Sequence, residues 1–356
     1  MPGKKIRRIG ILTAGGDCPG LNAVIRAVAK KSQNDHGVEV VGIEDGYIGL
    51  AQGRGHVLTN RDVSGILATG GTILGTERGN PFKAGGKKDG DYSGFKKAFK
   101  TLGLDALVCV GGEGTLTFAN MLYQNGFPTV GVPKTIDNDV METDVTFGFN
   151  SAVSILMQAI DNLHTTAMSH HRVIVVEVMG RHVGWLALAA GVAGGGDILI
   201  LPEIPYDEDV VFERVIERSR EGKRFSIVVV AEGVKASGRL VGEMEKGRIR
   251  LGGISWILSE QIEQVTKLET RPVVMGHLQR GGAPSAYDRL LATELASKAV
   301  DLVMEGKFGE MSAVRGISIG SVAMARAVRK LKMVPRNHPL IRTAISVGTS
   351  FGVREL

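Results

Sequence analysis

Residues 106–115, Ala106-Leu107-Val108-Cys109-Val110-Gly111-Gly112-Glu113-Gly114-Thr115, begin as an uninterrupted apolar run and stop abruptly on a glycine turn. A helical pattern follows through Phe118–Tyr123. Apolar runs of this length are typical of parallel strands buried on both faces, and strand, turn and helix in that order form half of a βαβ unit. The same grammar recurs on both sides. Ile9–Thr13 reads as a strand, followed by a glycine turn and a helix from about Leu21, with Leu21, Val24, Ile25 and Val28 on one face and Arg26, Lys30 and Lys31 off it. Val38–Ile43 and Thr129–Val132 are further strands. A second series opens with Ser151 as the expected N-cap of a long helix to about His164. Strands at Val173–Val178, Ile198–Leu201 and Phe225–Ala231 continue it. The expectation is an α/β protein with mainly parallel sheets, in two units meeting near residue 148. A helix at Tyr287–Val303 has no evident place in either series.

Composition narrows the function classes. The 356 residues are 43% hydrophobic and 22% charged, enough for two or three domains with real cores and too apolar for a disordered chain. The 49 glycines are about twice average usage, clustered and without a Gly-X-Y period, which excludes collagen. They mark places where backbone comes close to something. The net charge of +6 invites a nucleic-acid reading, but aromatics are only 5%, too few for a base-stacking platform. The basic residues are also dispersed, densest at Lys4–Arg8 and Lys87–Lys88. A mild positive excess suits small anionic substrates equally well. Cys18 and Cys109 offer neither a disulfide framework nor zinc spacing. The basic N-terminus precedes only a short apolar run and does not read as a signal peptide, and Val183–Gly196 is too short to span a bilayer. The expectation is a cytoplasmic protein with neither nucleic-acid nor membrane partners.

Three strand ends carry candidate chemistry, at the edge where open parallel sheets bind ligands. Ala14–Gly20 (AGGDCPG) is neither a dinucleotide nor a Walker fingerprint, but its glycines let N–H groups face an anion at a helix N-terminus. In Gly111–Thr115 a carboxylate, Glu113, stands among donors suited to phosphate, a pairing that makes sense when a cation bridges the two; Mg2+ takes one or two carboxylates with phosphate oxygens. In Pro133–Asp139 (PKTIDND), two carboxylates two residues apart could supply a general base and a metal-facing acid, although such turns are usually solvated Asx turns. Arg172, Arg181, Arg271 and Arg280, with His277, lie near predicted strand ends and bring the fork that matches phosphate.

These motifs together resemble the 6-phosphofructokinases that use ATP or pyrophosphate. The matching segments, in the family's order, are GGDCPGLNAVIR (15–26), GGTILGTER (70–78), GGEGT (111–115), PKTIDND (133–139), VEVMGRHVGW (176–185), PEIP (202–205), AEG (231–233) and GHLQRGG (276–282). The resemblance implies two Rossmann-like three-layer α/β/α domains with mainly parallel sheets and an active site in the cleft between them. It divides the chain into a phosphoryl-donor domain (1–148 plus about 279–325), a sugar-phosphate domain (149–278) and a C-terminal extension (about 326–356). It implies transfer of phosphate from MgATP to fructose 6-phosphate, the committed step of glycolysis. Gly16, Arg78, Gly79, Gly112, Glu113, Gly114 and Thr115 would contact the donor, with Glu113 as the Mg2+ acid. Asp137 would be the base, Thr135 and Asp139 its neighbours on substrate and metal, and Arg181 the arginine on the transferred phosphate beside Met179 and Gly180. Glu232, His277 and Arg280 would hold the sugar phosphate. Arg172 and Arg271 would reach it from a neighbouring subunit, so the resemblance implies a homo-oligomer with shared sites, a tetramer in preference to a dimer.

The donor signals conflict. Gly114 is ATP-like and Lys134 is pyrophosphate-like; an acid at 114 would obstruct the α-phosphate of ATP, whereas Lys134 can neutralise phosphate of either donor. ATP is the favoured reading and pyrophosphate the alternative. Arg26 matches one residue of an effector-phosphate site, but Lys30 replaces a second arginine, and solubilising the first helix is the favoured role of both. The segment Gly79–Gly94 reads as a mobile loop near the donor. Kinases sharing only a GGDGT-type loop should lack GHLQRGG and MGRHVGW, and a non-catalytic sensor should have lost Asp137, Asp139 or Arg181.

Overall fold

The apolar run at residues 106–110 is a strand in the interior of an eight-stranded sheet. The computed structural model describes residues 5–77, 79–245 and 248–356, with backbone alone for 243–245 and 248–250. The chain divides into two units. The first comprises the residues up to Ser151 with Arg280–Leu331, the second Ala152–Gln279 with Lys332–Leu356.

In chain order the elements are β1 (Arg8–Thr13), α1 (Leu21–His36), β2 (Glu39–Ile43), α2 (Gly46–Gln52), β3 (Gly55–Val57), α3 (Pro81–Ala84), α4 (Ser93–Leu102), β4 (Ala106–Gly111), α5 (Glu113–Gln124), β5 (Thr129–Thr135) and β6 (Phe147–Gly148). There follow α6 (Phe149–His170), β7 (Val173–Val178), α7 (Trp185–Ala193), β8 (Ile198–Ile200), α8 (Glu208–Arg220), β9 (Ser226–Ala231), β10 (Lys235–Ala236), β11 (Arg239–Leu240), β12 (Gly242–Glu245), β13 (Arg248–Leu251), α9 (Ile254–Thr266) and β14 (Thr270–Val274). The chain ends with α10 (Ala286–Met304), β15 (Glu310–Arg315), β16 (Ser318–Ala323), α11 (Met324–Ala327) and α12 (Pro339–Ser346).

The sheet of the first unit runs β16-β15-β5-β4-β1-β2-β3, with β6 beside β5. Strands β2, β1, β4, β5 and β15 are parallel, and β3 and β16 close the two edges antiparallel. The chain leaves β1 towards β2 on one side and later enters β4 on the other. The strand order therefore reverses between β1 and β4, which opens a crevice beyond their carboxyl ends. The helix that lacked a place, α10, packs on α1 and across β5 and β15. Lys31 of α1 binds Asp301 (2.6 Å) and Ser297 Oγ (2.9 Å) on it. Period alone could not assign α10, because it returns to a sheet begun more than a hundred residues earlier.

Two local expectations change. Helix α6 starts at Phe149, so Ser151 is not its N-cap. Ser151 lies in the first turn, and its N–H and hydroxyl both donate to Asp288 Oδ2 of α10 (2.7 and 2.6 Å). Burial pushes the Asp288 pKa above the usual carboxylate range, and these bonds offset only part of that rise. Residues 79–94 are not a featureless loop either. Asn80 caps α3 through Phe82 N–H and Lys83 N–H, and the Phe82 ring packs edge-on to Tyr92, Phe95 and Phe118. Burying a Phe ring such as Phe82 is worth about 1.5–3 kcal/mol, which anchors the segment.

The sheet of the second unit, β14-β7-β9-β8, is wholly parallel. Glu177 on β7 is buried because it accepts from Gly253 N–H, Ser255 N–H and Ser255 Oγ at the start of α9. The end of the chain covers the β8 edge: Leu199 N–H donates to Ser350 O (2.8 Å) and Ser350 N–H to Asp197 O (2.9 Å). His338 caps α12 by accepting from Leu340 N–H at Nδ1 (3.2 Å), and its ring meets Trp185 edge-on.

That cap works only while His338 is neutral, and burial holds its pKa below the usual 6.5. Between the folded value and 6.5 the unfolded chain binds more protons, so this contribution is present above pH 6.5 and is lost as pH falls through the folded value. Melting temperature should fall more steeply below pH 6.5 in the wild type than in His338→Asn, which keeps an acceptor that does not titrate in this range; parallel melts from pH 5 to 8 check it.

Candidate active site

The glycine turn after β1 is tied on every side. Ala14 N–H donates to Val110 O of β4 (3.0 Å), Thr76 Oγ1 to Gly15 O (2.7 Å), and Thr13 Oγ1 lies 2.9 Å from Thr72 Oγ1. Asn22, in the first turn of α1, reaches the segment of residues 69–76 with both ends of its amide, donating to Thr69 O and Gly70 O and accepting from Ile73 N–H. Asn22, Thr72 and Thr76 are supports that motif reading passed over; only their place inside the quoted segments hinted at them.

The turn after β4 is tighter than the sequence suggested. Gly112 is the N-cap of α5, and Glu113, Gly114 and Thr115 form its first turn, so the dipole and unpaired N–H groups of a twelve-residue helix open beside them. Thr117 Oγ1 donates to Glu113 Oε1 (3.0 Å), and the buried Tyr47 hydroxyl donates to Thr115 O (2.7 Å). A Cβ on Gly114 would meet no atom within 4 Å. Strand β5 pairs with β4 up to Gly111 opposite Pro133, so its own exit lies alongside. Lys134 and Thr135 end β5, and Asp137, Asn138 and Asp139 follow, all of them buried. Asn138 takes the left-handed conformation (φ 53°), which asparagine tolerates, and its side chain accepts from Thr146 N–H (3.1 Å). Thr135 Oγ1 accepts from Asp137 N–H (3.0 Å). The Lys134 ammonium donates to Gly16 O, and burial pushes its pKa down. Burial raises the Cys18 thiol nearby to about 12, which leaves it protonated and inert.

Arg280 belongs to the first unit. Its guanidinium donates to Asp17 O (3.2 Å), and a methyl group on Gly16 would fall 2.1 Å from Nη1. It therefore sits against the glycine turn. Gly79 is exposed next to the anchored segment; Arg78 lies outside the described residues.

In the second unit, the loop after β7 carries Met179, Gly180 and Arg181. Arg181 is left-handed (φ 53°), an uncommon state for a bulky residue and one that collects at functional sites. Its N–H donates to Glu232 Oε1 at the end of β9 (2.9 Å), and Met179 N–H donates to the buried Gln279 (3.2 Å). Arg181 and Glu232 therefore share one edge of the sheet, and His277 lies exposed in the turn that follows β14 at that same edge. Arg172 and Arg271 do not join them. Arg172 precedes β7 and Arg271 is the second residue of β14, so both lie at the opposite edge, roughly 20 Å away along six-residue β7. Glu269 binds both guanidinia, Arg172 Nη2 at 2.8 Å, and the pairing lowers the Glu269 pKa.

Among the described residues no three His, Cys, Asp or Glu side chains converge as a metal site. Mg2+ does not require such a cluster when substrate phosphates complete its shell. Glu113 and the buried carboxylates after β5 are hard oxygen donors at neighbouring strand exits, and they fit that ion.

The sequence profile of the Phosphofructokinase family matches residues 8–303. The chain belongs to the phosphofructokinase family. It is 50% identical to the ATP-dependent 6-phosphofructokinase of Chloroflexus aurantiacus over 98% of each chain. It is also 50% identical to the pyrophosphate–fructose 6-phosphate 1-phosphotransferase of Amycolatopsis mediterranei, over 92% of this chain and 96% of that one. The structure of phosphofructokinase from Saccharomyces cerevisiae superposes with a TM-score of 0.80 and 31% identity over 91% of this chain, which spans 45% of that longer chain. Among the described residues no helix is long and apolar enough to cross a membrane.

One family motif has an immediate steric reason. A methyl group on Gly233 would lie 1.8 Å from Arg181 O, so AEG needs its glycine for the loop of MGRHVGW to rest there. Gly233→Ala is expected to cost about 1–3 kcal/mol, seen as a lower denaturant midpoint.

Proposed function

We propose that the protein transfers the terminal phosphoryl group of MgATP to the 1-hydroxyl of fructose 6-phosphate, giving fructose 1,6-bisphosphate, ADP and a proton, as a glycolytic enzyme of the cytoplasm. The observation that carries this reading is the convergence at adjacent strand ends of the Glu113 helix N-terminus and the buried Asp137–Asp139 turn, in a chain of this family. Phosphoryl transfer depends chiefly on positioning and on positive charge around the migrating group. On this reading Gly16, Gly79 and Gly112–Thr115 hold the donor phosphates, together with Arg78. Arg181 stabilises the group in transit, and Thr135, Met179, Gly180, Glu232, His277 and Arg280 orient the sugar phosphate. Asp137 takes the proton from the 1-hydroxyl. Glu113 and Asp139 would hold Mg2+, which supplies neutralising charge to the donor phosphates when bound.

Asp137→Ser is expected to lower kcat by roughly 10²–10⁴ with little change in affinity for fructose 6-phosphate. Single-turnover rates beside equilibrium binding check it, and near wild-type turnover would remove Asp137 from the chemistry.

Three observations bear on the donor. Open space at Gly114 suits the extra phosphate of a nucleotide, whereas Lys134 and the similarity to a pyrophosphate-named relative favour pyrophosphate. ATP is the reading adopted, in keeping with the name of the Chloroflexus relative. MgATP should sustain turnover where magnesium pyrophosphate does not; the reverse result would exchange the donor.

Arg172 and Arg271 lie at the opposite edge of their sheet from Arg181, which supports their serving a second copy in a homo-oligomer, a tetramer in preference to a dimer. Mixing inactive Asp137→Ser and Arg271→Ala chains under subunit exchange should restore activity in hybrids. No recovery despite proven exchange would place each site within one chain.

A further inference from the structure

The loop that carries Arg181 is held at its far end by a residue with no role so far. Glu203, in the PEIP segment, accepts at Oε1 from two backbone N–H groups, Gly184 at 3.0 Å and Val334 at 3.0 Å. Gly184 closes the Arg181 loop, and Val334 belongs to the C-terminal segment beyond Lys332. That segment grips the same place twice more. Arg336 Nε donates to Glu203 O (3.1 Å), and the Trp185 indole N–H donates to Lys332 O (2.7 Å). The Lys332 ammonium lies 5.5 Å from the centre of the Trp185 ring, and the His338 ring stands edge-on to it at 5.2 Å. A methyl group at Gly184 would fall 2.7 Å from Glu203 Oε2, so the loop is seated directly on the carboxylate.

We propose that Glu203 is a positioning residue for phosphoryl transfer, and that residues 332–338 form a strap which, through Glu203 and Trp185, fixes the loop presenting Arg181. The proposal rests on the reading that Arg181 acts on the transferred group. Its physical basis is the left-handed backbone at Arg181, a state that persists only while its surroundings hold it. The loop is tied to the rest of its unit through Met179 N–H, Arg181 N–H and Gly184 N–H, and Glu203 is the acceptor that joins the third of these ties to the strap. A guanidinium displaced by an ångström loses far more in the transition state than in substrate binding.

The test is a double-mutant cycle on the full chain, with folding monitored by thermal melts. Glu203→Ala should lower kcat about 10- to 100-fold with KM for MgATP within about twofold. Glu203→Gln, which keeps an acceptor oxygen, should recover most of the rate. In an Arg181→Ala background, Glu203→Ala should add little, because its effect passes through Arg181. An unchanged kcat in Glu203→Ala, or an equal loss in both backgrounds, overturns the proposal and leaves the role of Arg181 standing. Full turnover in Arg181→Ala alone overturns both, which separates the two failures. Should Glu203→Ala not fold, Glu203→Asp, one methylene too short to reach both N–H groups, carries the same comparison.

Discussion

Parallel strands cannot be joined by tight hairpins, so each connection has to cross a face of the sheet before the next strand begins. The parallel strands of the two larger sheets are built under that constraint, and most of the site follows from it. The turns that follow the parallel strands β1, β2, β4 and β5 all leave at one edge, and reversal of strand order between β1 and β4 parts two of those turns around a crevice. The glycine turn after β1, the helix N-terminus at Glu113 and the acidic turn after β5 are neighbours for that reason. Their residues are far apart in sequence and adjacent in space because their strands are in register.

A second layer of structure makes those turns rigid. Short polar side chains, Asn22, Thr72, Thr76 and Thr135, satisfy backbone groups that the turns leave open. Buried groups such as Lys134 and Tyr47 close on backbone carbonyls. In the second unit the equivalent work is done by carboxylates accepting from loop N–H groups: Glu232 for Arg181, Glu203 for Gly184 and Glu177 for the start of α9. Ionised acceptors make stronger bonds than neutral ones, which suits loops that have to hold one conformation.

Much of this was legible beforehand, though unevenly. Buried parallel strands announce themselves as apolar runs, and their glycine exits as breaks in those runs, so β1, β4, β5, β7 and β9 could be read directly. Boundaries were less visible. Ser151 looked like a cap because serine often is one, and nothing local reveals that Asp288, more than a hundred residues later, takes its hydrogen bonds. Residues 79–94 looked loose because glycine and lysine dominate them, yet Phe82 and Tyr92 anchor them in an aromatic cluster whose other members are distant in sequence.

The sequence by itself determined the class of fold, the family and the chemical character of each motif, because periodicity, glycine exits and carboxylate spacing are local properties of a chain. Only the tertiary structure decided which motifs share an edge. It set Arg181 beside Glu232 and moved Arg172 and Arg271 to the opposite end of the same strands. It set Arg280 against Gly16 and joined the end of the chain to the Arg181 loop through Glu203. Strand order, register and the path of a returning helix are set by long-range packing, and no short window of residues records them.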